Sequence, residues 1–448
     1  MNEQQIIDTY QTKFQPQLTR GLRGNYQAPS DKSISQRALI FAALAQGTSE
    51  LTSILPAEDV RHTANALMQL GIQIVQREQL TWVVGQGGWQ FKPLTSHPQL
   101  DLGNSGTGTR LLLPLLARQP FTSQLIGDAS LSQRPLTHFL TALQKMGAKF
   151  VGGPGLPLTI LPNGQLQGLD YQLPVASAQL KSALILAALQ AQGPSHLVTL
   201  APTRDHTERL LHLFGASVAV HQQQINVLPL QQPLQATGLT IPGDPSSAAF
   251  LIVAALLLPQ SQLRVTNHSL NPTRTGLLQL LQQIGAPIQI QPALVKTAEP
   301  VGTIAVGSLG AQAYAPLLID QRNLGQVIDE IPILSLLATQ LTGTSIIRQA
   351  TSLRHKETDR LHVVAEQLQL LGAQISEQAD GLTIVGPTPL HLPDQPLNAH
   401  QDHRIAMTLI VACLILGQKV PIIGLASIAT SYPHFLDDLI ALNQGARA

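Results

Sequence analysis

The chain has 448 residues, 44% of them apolar and 12% charged, and a formal net charge of +1. That is enough to bury a large core in two or more domains, and it supplies no bulk charge for nucleic acid or a membrane surface. One cysteine, Cys413 in the stretch VACLIL, excludes a disulfide framework and a thiolate zinc site and reads as a small core side chain.

The N-terminal MNEQQIIDTYQTKF has neither a signal-peptide core nor transit-peptide character. No apolar run reaches the ~20 residues that span a bilayer, so a soluble cytoplasmic protein is expected. From Asp31 the chain reads DKSISQRALIFAALAQG, a polar cap followed by an apolar helix expected to end at Gly47. The plan recurs at Asn104, Ser177, Asp244, Asp329 and Asp402, with spacings of 73, 73, 67, 85 and 73 residues. The apolar runs Leu111–Ala117, Ala183–Leu189, Ala248–Leu258, Ile331–Ala338 and Ile405–Leu416 have no polar face. Each predicts a helix buried in the middle of its domain. The second unit, DLGNSGTGTRLLLPLLA over Asp101 to Ala117, is rich in glycine. Glycine lets backbone approach a ligand, and the free N–H groups of a helix start favour anions. Arg110 falls at the mouth of this helix, and Pro114 is expected to kink it.

A second, amphipathic helix follows in each unit and stops at Gly71, Gly147, Gly215, Gly285, Gly372 or Gly445, where glycine supplies a left-handed C-cap. In five units two short strand-like runs come next, such as Ile72–Val75 with Leu80–Val84 and Val218–Val220 with Ile225–Leu228. The sixth unit stops at Ala448 before any such runs, and the segment Leu18 to Tyr26 is expected to fill that vacancy. A period of about 74 residues is too long for a solenoid and predicts α/β supersecondary units in two groups of three. The expected domains are 30–241, and 1–29 with 242–448. The crossings near Pro29 and Ile241 would act as a hinge.

The caps differ in chemistry. Lys32, Ser33 and Arg37 open the first, Asn104, Gly106 and Arg110 the second, and Ser177, Gln179 and Lys181 the third. Asp329–Glu330 opens the fifth, and Asp402, His403 and Arg404 the sixth. Loops add Arg134 in SQRPL, Arg204 in TRDHTER, and Lys356, Glu357 and Arg360 in LRHKETDRL. Helix starts combined with lysine and arginine describe a site for more than one phosphate or carboxylate.

GNSGTGTR, SQRPL, SAQLKSALILAAL, DEIP, LRHKETDRL and DHRIAM resemble, in order, the motifs of the 5-enolpyruvylshikimate-3-phosphate synthase family, from Lys32 to about Pro433. The resemblance implies an α/β fold of two domains, each of three βαβαββ units in an inside-out α/β barrel, closing over its substrates. It implies transfer of the carboxyvinyl group of phosphoenolpyruvate to the 5-hydroxyl of shikimate 3-phosphate, with release of phosphate and no metal or other cofactor. Lys32, Ser33 and Arg37 would hold shikimate 3-phosphate, and Lys32 would also reach phosphoenolpyruvate. Ser177 would meet the 3-phosphate, Gln179 would lie between the ligands, and Arg204 would add a sugar-phosphate contact. Asn104, Gly106, Arg134, Lys356, Arg360 and Arg404 would line the phosphoenolpyruvate side, where glyphosate also binds. Asp329 would hold the attacking hydroxyl and Glu357 would sit near the methylene carbon. The chemistry needs a base for the hydroxyl and an acid for the methylene, and Lys32 and Glu357 both remain candidates for the acid. A monomer is expected, with no nucleic-acid or membrane partner.

Compared with the family's pattern, Gln36, Ala178 and Thr430 stand where some members have His or Asn, Ser, and Lys respectively; little effect is expected of Gln36. The residue types alone offer plainer readings too. Asp329 and Glu357 are candidates for helix caps, Lys181 for a structural ion pair, and Arg61 and Arg209 for packing between elements. His206 and His355 read as loop residues, and His403 either orients a neighbour or contributes to catalysis. The rival enzyme is the UDP-N-acetylglucosamine enolpyruvyl transferase, whose reactive loop cysteine Cys413 does not match. The non-enzyme rival, a phosphate-binding relative without turnover, predicts loss of the acidic residues that are present here.

Overall fold

The computed structural model describes residues 1–16, 20–294 and 297–444. The chain divides into two compact units, Ser30–Ile241 and Met1–Pro29 with Pro242–Ala448.

The Ser30–Ile241 unit holds three four-stranded sheets. One orders Gly238–Thr240, Gln46–Thr52, Leu80–Gln86 and Gln73–Arg77, and another Gln99–Asp101, Ser123–Ile126, Leu158–Ile160 and Phe150–Gly152. The third orders Asp170–Gln172, Ser195–Val198, Gln224–Val227 and Ala219–His221. In each, the first two strands are parallel and the last three alternate in direction. The cap helices are Lys32–Leu44, Gly106–Leu116 and Ala178–Leu189. Every residue from Ile34 to Leu44 and from Leu180 to Leu189 is buried. Gly106–Leu116 is buried except at Thr107 and Arg110, and it continues past Pro114. The three helices share one hydrophobic core, as sequences without a polar face require.

The other unit repeats the plan. Arg23–Gln27, Gln262–Ser269, Val301–Gly307 and Ile288–Pro292 form one sheet, and Leu318–Ile319, Gly343–Ile347, Gly381–Gly386 and Gln374–Gln378 another. Gly302, Ile304 and Val306 turn inward at alternate positions of their strand, the period of a sheet covered on one side. The cap helices Pro245–Leu257, Ile331–Ala338 and His403–Leu416 are buried almost throughout.

The amphipathic helices end as the glycines predict. Gly71 (φ +89°) donates to Met68 O and Ile72 to Leu67 O, satisfying carbonyls that the last turn leaves open. The same pair of bonds recurs at Gly147, Gly215, Gly285 and Gly372; Gly445 lies outside the described residues.

Several expectations are corrected. The first cap helix ends at Leu44, because Gln46 and Gly47 already pair with Gln86 and Gly85 in the sheet. Arg23–Gln27 does not complete the sixth unit: it pairs in parallel with Gln262–Ser269 of the fourth. Gly238–Thr240, just before the fourth cap, correspondingly joins the first unit's sheet beside Gln46–Thr52. First strands are thus exchanged between the first and fourth units. Among the described residues the sixth unit keeps only the pair Leu397–Asn398 and Ile422–Ile423. The N-terminal helix Glu3–Thr12 packs against this unit, with Tyr10 Oη donating to Val420 O at 2.5 Å and Lys419 Nζ to Gln11 O at 2.6 Å. Tyr10 also lies 3.6 Å from the sulfur of Cys413, which is buried as expected. No helix among the described residues is long and apolar enough to cross a membrane.

Candidate active site

In the Ser30–Ile241 unit the caps are built by side chains that close the first turn. Asp31 accepts from Ile34 N (2.9 Å) and Ser177 from Leu180 N (3.2 Å). In the second cap the closing residue is Ser105, which accepts from Gly108 N at 3.2 Å. The expected cap residue, Asn104, therefore stands one place outside the helix with its amide released. It donates to Asp128 Oδ2 (2.7 Å) and accepts from Arg134 Nη2 (2.5 Å).

These caps are stitched together. Lys32 Nζ meets Asp59 Oδ2 at 2.7 Å. Gln36, fully buried, donates to Asp59 O, Thr63 Oγ1 and Ser105 Oγ, joining the first cap to the second. Arg110 Nη1 donates to Gln179 Oε1 at 2.6 Å, and Gln179 Nε2 to Thr107 Oγ1 at 3.0 Å, joining the second to the third. A methyl at Gly106 would sit 3.0 Å from Arg110 Nη1 and 3.3 Å from Arg134 Nη1. Both guanidinium groups thus face this glycine. Arg37, expected at the sugar phosphate, is buried and donates to Thr207 Oγ1 (2.8 Å), Ser182 Oγ (3.1 Å) and Ser33 O (3.1 Å). Lys181 forms the structural pair foreseen for it, with Glu208 at 2.6 Å, and also donates to Arg204 O.

The other unit gathers Asp329, Lys356, Glu357, Arg360 and Arg404. Glu330 is the N-cap residue of Ile331–Ala338, so Asp329 also stands one place outside its helix. Its carboxylate lies 3.6 Å from Lys356 Nζ, 3.5 Å from Arg360 Nη1 and 3.9 Å from Arg404 Nη2. Glu357 is no cap either, since Asp359 closes the helix Arg360–Leu370 by accepting from His362 N. Glu357 Oε2 meets Arg360 Nη2 at 2.6 Å.

Arg360 is the most enclosed cation of the cluster. It is 1% exposed, and it grips Asp402 through Nε (2.7 Å) and Nη2 (3.3 Å) as well as Glu357 and Asp329. Burial opposes its charge, yet Asp402 and Glu357, with Asp329, more than offset that and raise its pKa above the usual arginine range. Lys356 and Arg404 are the more accessible cations of the cluster, 31% and 11% exposed. His403 is buried, with Nδ1 3.3 Å from Thr430 Oγ1.

Gln36, Asp59, Arg110, Asp128 and Asp402 belong to these clusters and were not among the expected site residues. Their signal was present only as polar residues within otherwise apolar helices or at caps. Local pairs and one correction complete the picture. Arg61 pairs with Glu58 one turn away on its own helix, and Arg209 with Asp205 at the N-cap of its helix. His206 is the buried first residue of a helix.

Sheets that bury capped helices, with lysine, arginine and carboxylate clustered at the helix starts, define an α/β protein whose clusters have the chemistry to meet small anions. The sequence model of EPSP synthase (3-phosphoshikimate 1-carboxyvinyltransferase) matches residues 17–439, and the chain belongs to this family. It is 44% identical to the 3-phosphoshikimate 1-carboxyvinyltransferase of Lactiplantibacillus plantarum over 97% of this chain and 99% of that one. The protein of the same name from Leuconostoc mesenteroides is 41% identical over 95% and 97%. Among solved structures, an EPSP synthase of Acinetobacter baumannii superposes with a TM-score of 0.81 at 33% identity, covering 96% of this chain and 98% of that one. The enolpyruvyl transferase NikO of Streptomyces tendae shares the fold, with a TM-score of 0.76 at 19% identity and 96% of both chains covered.

Proposed function

We propose that this chain transfers the carboxyvinyl group of phosphoenolpyruvate to the 5-hydroxyl of shikimate 3-phosphate and releases phosphate. The observation that carries the residue assignment is the Asp329 cluster. A carboxylate held just outside a helix start, with Lys356, Arg360 and Arg404 around it, suits a base that works next to an anion.

The reaction runs by addition and elimination. Asp329 takes the proton of the 5-hydroxyl as its oxygen bonds to the central carbon of phosphoenolpyruvate, and the methylene carbon gains a proton. The tetrahedral adduct then loses that proton and expels phosphate, which restores the double bond. Lys32 and Glu357 are the groups assigned to proton exchange at the methylene carbon. Lys356 and Arg404, with Asn104, Gly106 and Arg134, serve phosphoenolpyruvate and stabilise the charge that develops as phosphate leaves. Lys32, Ser33, Ser177, Gln179 and Arg204 serve the sugar phosphate. Arg37 serves the sugar phosphate too and also fixes the first cap, and Arg360 serves phosphoenolpyruvate while holding Asp402, Glu357 and Asp329. The reaction as balanced consumes no metal, nucleotide or redox cofactor.

The UDP-sugar alternative has no support from Cys413. The thiol is buried, and burial pushes its pKa up. The deciding experiment is phosphate release from phosphoenolpyruvate with shikimate 3-phosphate or with UDP-N-acetylglucosamine. Turnover with the first alone is expected, and turnover only with the second overturns the reading. The accompanying reading is a cytoplasmic monomer, which a dimer mass by light scattering would contradict.

A further inference from the structure

The fourth cap has no part in the reaction as assigned, yet it carries a buried polar chain that ends beside Asp329. Asp244 closes the helix Pro245–Leu257 by accepting from Ser246 N at 2.8 Å, and the same oxygen accepts from Arg274 Nη2 at 3.1 Å. Arg274, buried just before the helix Gly276–Gln283, also donates to Ser246 Oγ at 2.8 Å. An arginine cannot accept, so Ser246 Oγ must accept from it and direct its own single proton elsewhere. That proton goes to Glu330 Oε1.

Glu330 is 3% exposed and makes no side-chain bond to its own helix. Its Oε2 has no hydrogen-bond partner among the described residues. A buried carboxylate held by one hydroxyl is a costly choice where an apolar side chain would pack. Meanwhile Glu330 N donates to Val327 O at 2.9 Å, which pins the peptide that joins it to Asp329, and the Glu330 carbonyl accepts from Leu334 N at 2.9 Å. With side chain and backbone both held, the peptide joining Glu330 to Asp329 loses its freedom to turn.

We propose that Glu330 is a positioning residue: through Ser246 and Arg274 it ties the start of the fifth cap helix to the fourth, and this tie aims the Asp329 carboxylate. The inference rests on the role of Asp329 proposed above.

The test is steady-state kinetics of phosphate release with thermal unfolding alongside. Glu330→Leu keeps the volume and removes the acceptor. It should lower kcat about 10- to 100-fold, leave both KM values within about threefold, and leave Tm unchanged or raised. Glu330→Gln retains an acceptor and should stay within about threefold of the parent kcat. Ser246→Ala should reproduce the fall in kcat, with a lowered Tm because it strands the Glu330 carboxylate, and combining the two should cost no more kcat than either alone. Should Glu330→Leu fail to fold, Ser246→Ala decides by itself. Parent-like kcat in Ser246→Ala or Glu330→Leu, or losses that multiply in the double variant, overturns the proposal. So does a fall in kcat matched by a fall in Tm in Glu330→Leu, which is the mark of a merely structural role. The parent chain and Asp329→Asn are measured beside them. An inactive parent, or a fully active Asp329→Asn, removes the functional reading and the relay falls with it. An active parent, an impaired Asp329→Asn and a parent-like Ser246→Ala remove the relay alone.

Discussion

Replacing Gly106 by alanine isolates one contact of the second cap. The new methyl would lie 3.0 Å from Arg110 Nη1 and 3.3 Å from Arg134 Nη1, where ordinary contact begins at 3.4 Å. Both neighbours are ends of flexible side chains and Gly106 opens a helix, so the fold itself should tolerate alanine. The arginines, however, are tethered. Arg110 is bound at 2.6 Å to Gln179 and its guanidinium carbon lies 5.6 Å from the centre of the Phe139 ring, while Arg134 is bound at 2.5 Å to Asn104. Retreat by about 0.4 Å stretches two charge-assisted bonds, and overpacking of this size costs about 1–3 kcal/mol. Expressed on a bound anion, each 1.4 kcal/mol is about tenfold in affinity. The KM for phosphoenolpyruvate should therefore rise. The inhibition constant of the longer glyphosate should rise by a further factor of about ten, and Tm should stay within about 2 °C of the parent. The assay compares KM, inhibition constant and Tm for the two proteins. Equal proportional changes in KM and inhibition constant would refute the placement of Gly106 against the ligand.

Three further outcomes are expected. Glu357→Gln should lower turnover by about two to four orders of magnitude with sugar-phosphate affinity nearly intact; turnover within a few fold of the parent in the phosphate assay would remove Glu357 from proton transfer. Asp402→Asn weakens the grip on the buried Arg360, and because Glu357 and Asp329 remain beside it, the loss should sit near the lower end of the usual range, about 3 kcal/mol by urea unfolding. His268 is held neutral: burial lowers its pKa from 6.5 to about 4, with Arg274 adding to the effect and the Ser269 carbonyl and Asp244 opposing it. The unfolded chain then binds the extra proton between these values, so stability is full above pH 6.5 and falls as pH drops towards 4, by about 3 kcal/mol in total. Unfolding midpoints at pH 7 and pH 5 should differ less in His268→Gln than in the parent, and an equal difference would argue against a neutral buried histidine.

The sequence by itself determined the features that local physics decides. A capping side chain and the N–H it closes are two or three residues apart, as at Asp31 and Ile34, and a glycine stop is bonded within six residues, as from Leu67 to Ile72. Helices without a polar face have nowhere to go but the core. The six α/β units and the residue types of the site were legible for that reason. Single-residue shifts were not. Ser105 and Asn104 are equally good caps in sequence, and only the folded chain selects Ser105 to close the turn. By local preference Asp329 is the better cap, yet Glu330 takes the N-cap place without a side-chain cap bond and Asp329 is left to face the cations. Tertiary structure alone decided the strand exchange, since Arg23–Gln27 would pair equally well by composition with several sheet edges. It also decided the surroundings of Arg360. A cation in LRHKETDRL reads as an anion ligand, and nothing near it in the chain shows that Asp402, 42 residues away, is brought within 2.7 Å of it. The Ser246–Glu330 contact spans 84 residues. Such partners are chosen by which elements pack side by side, and no local pattern in the chain carries that energy.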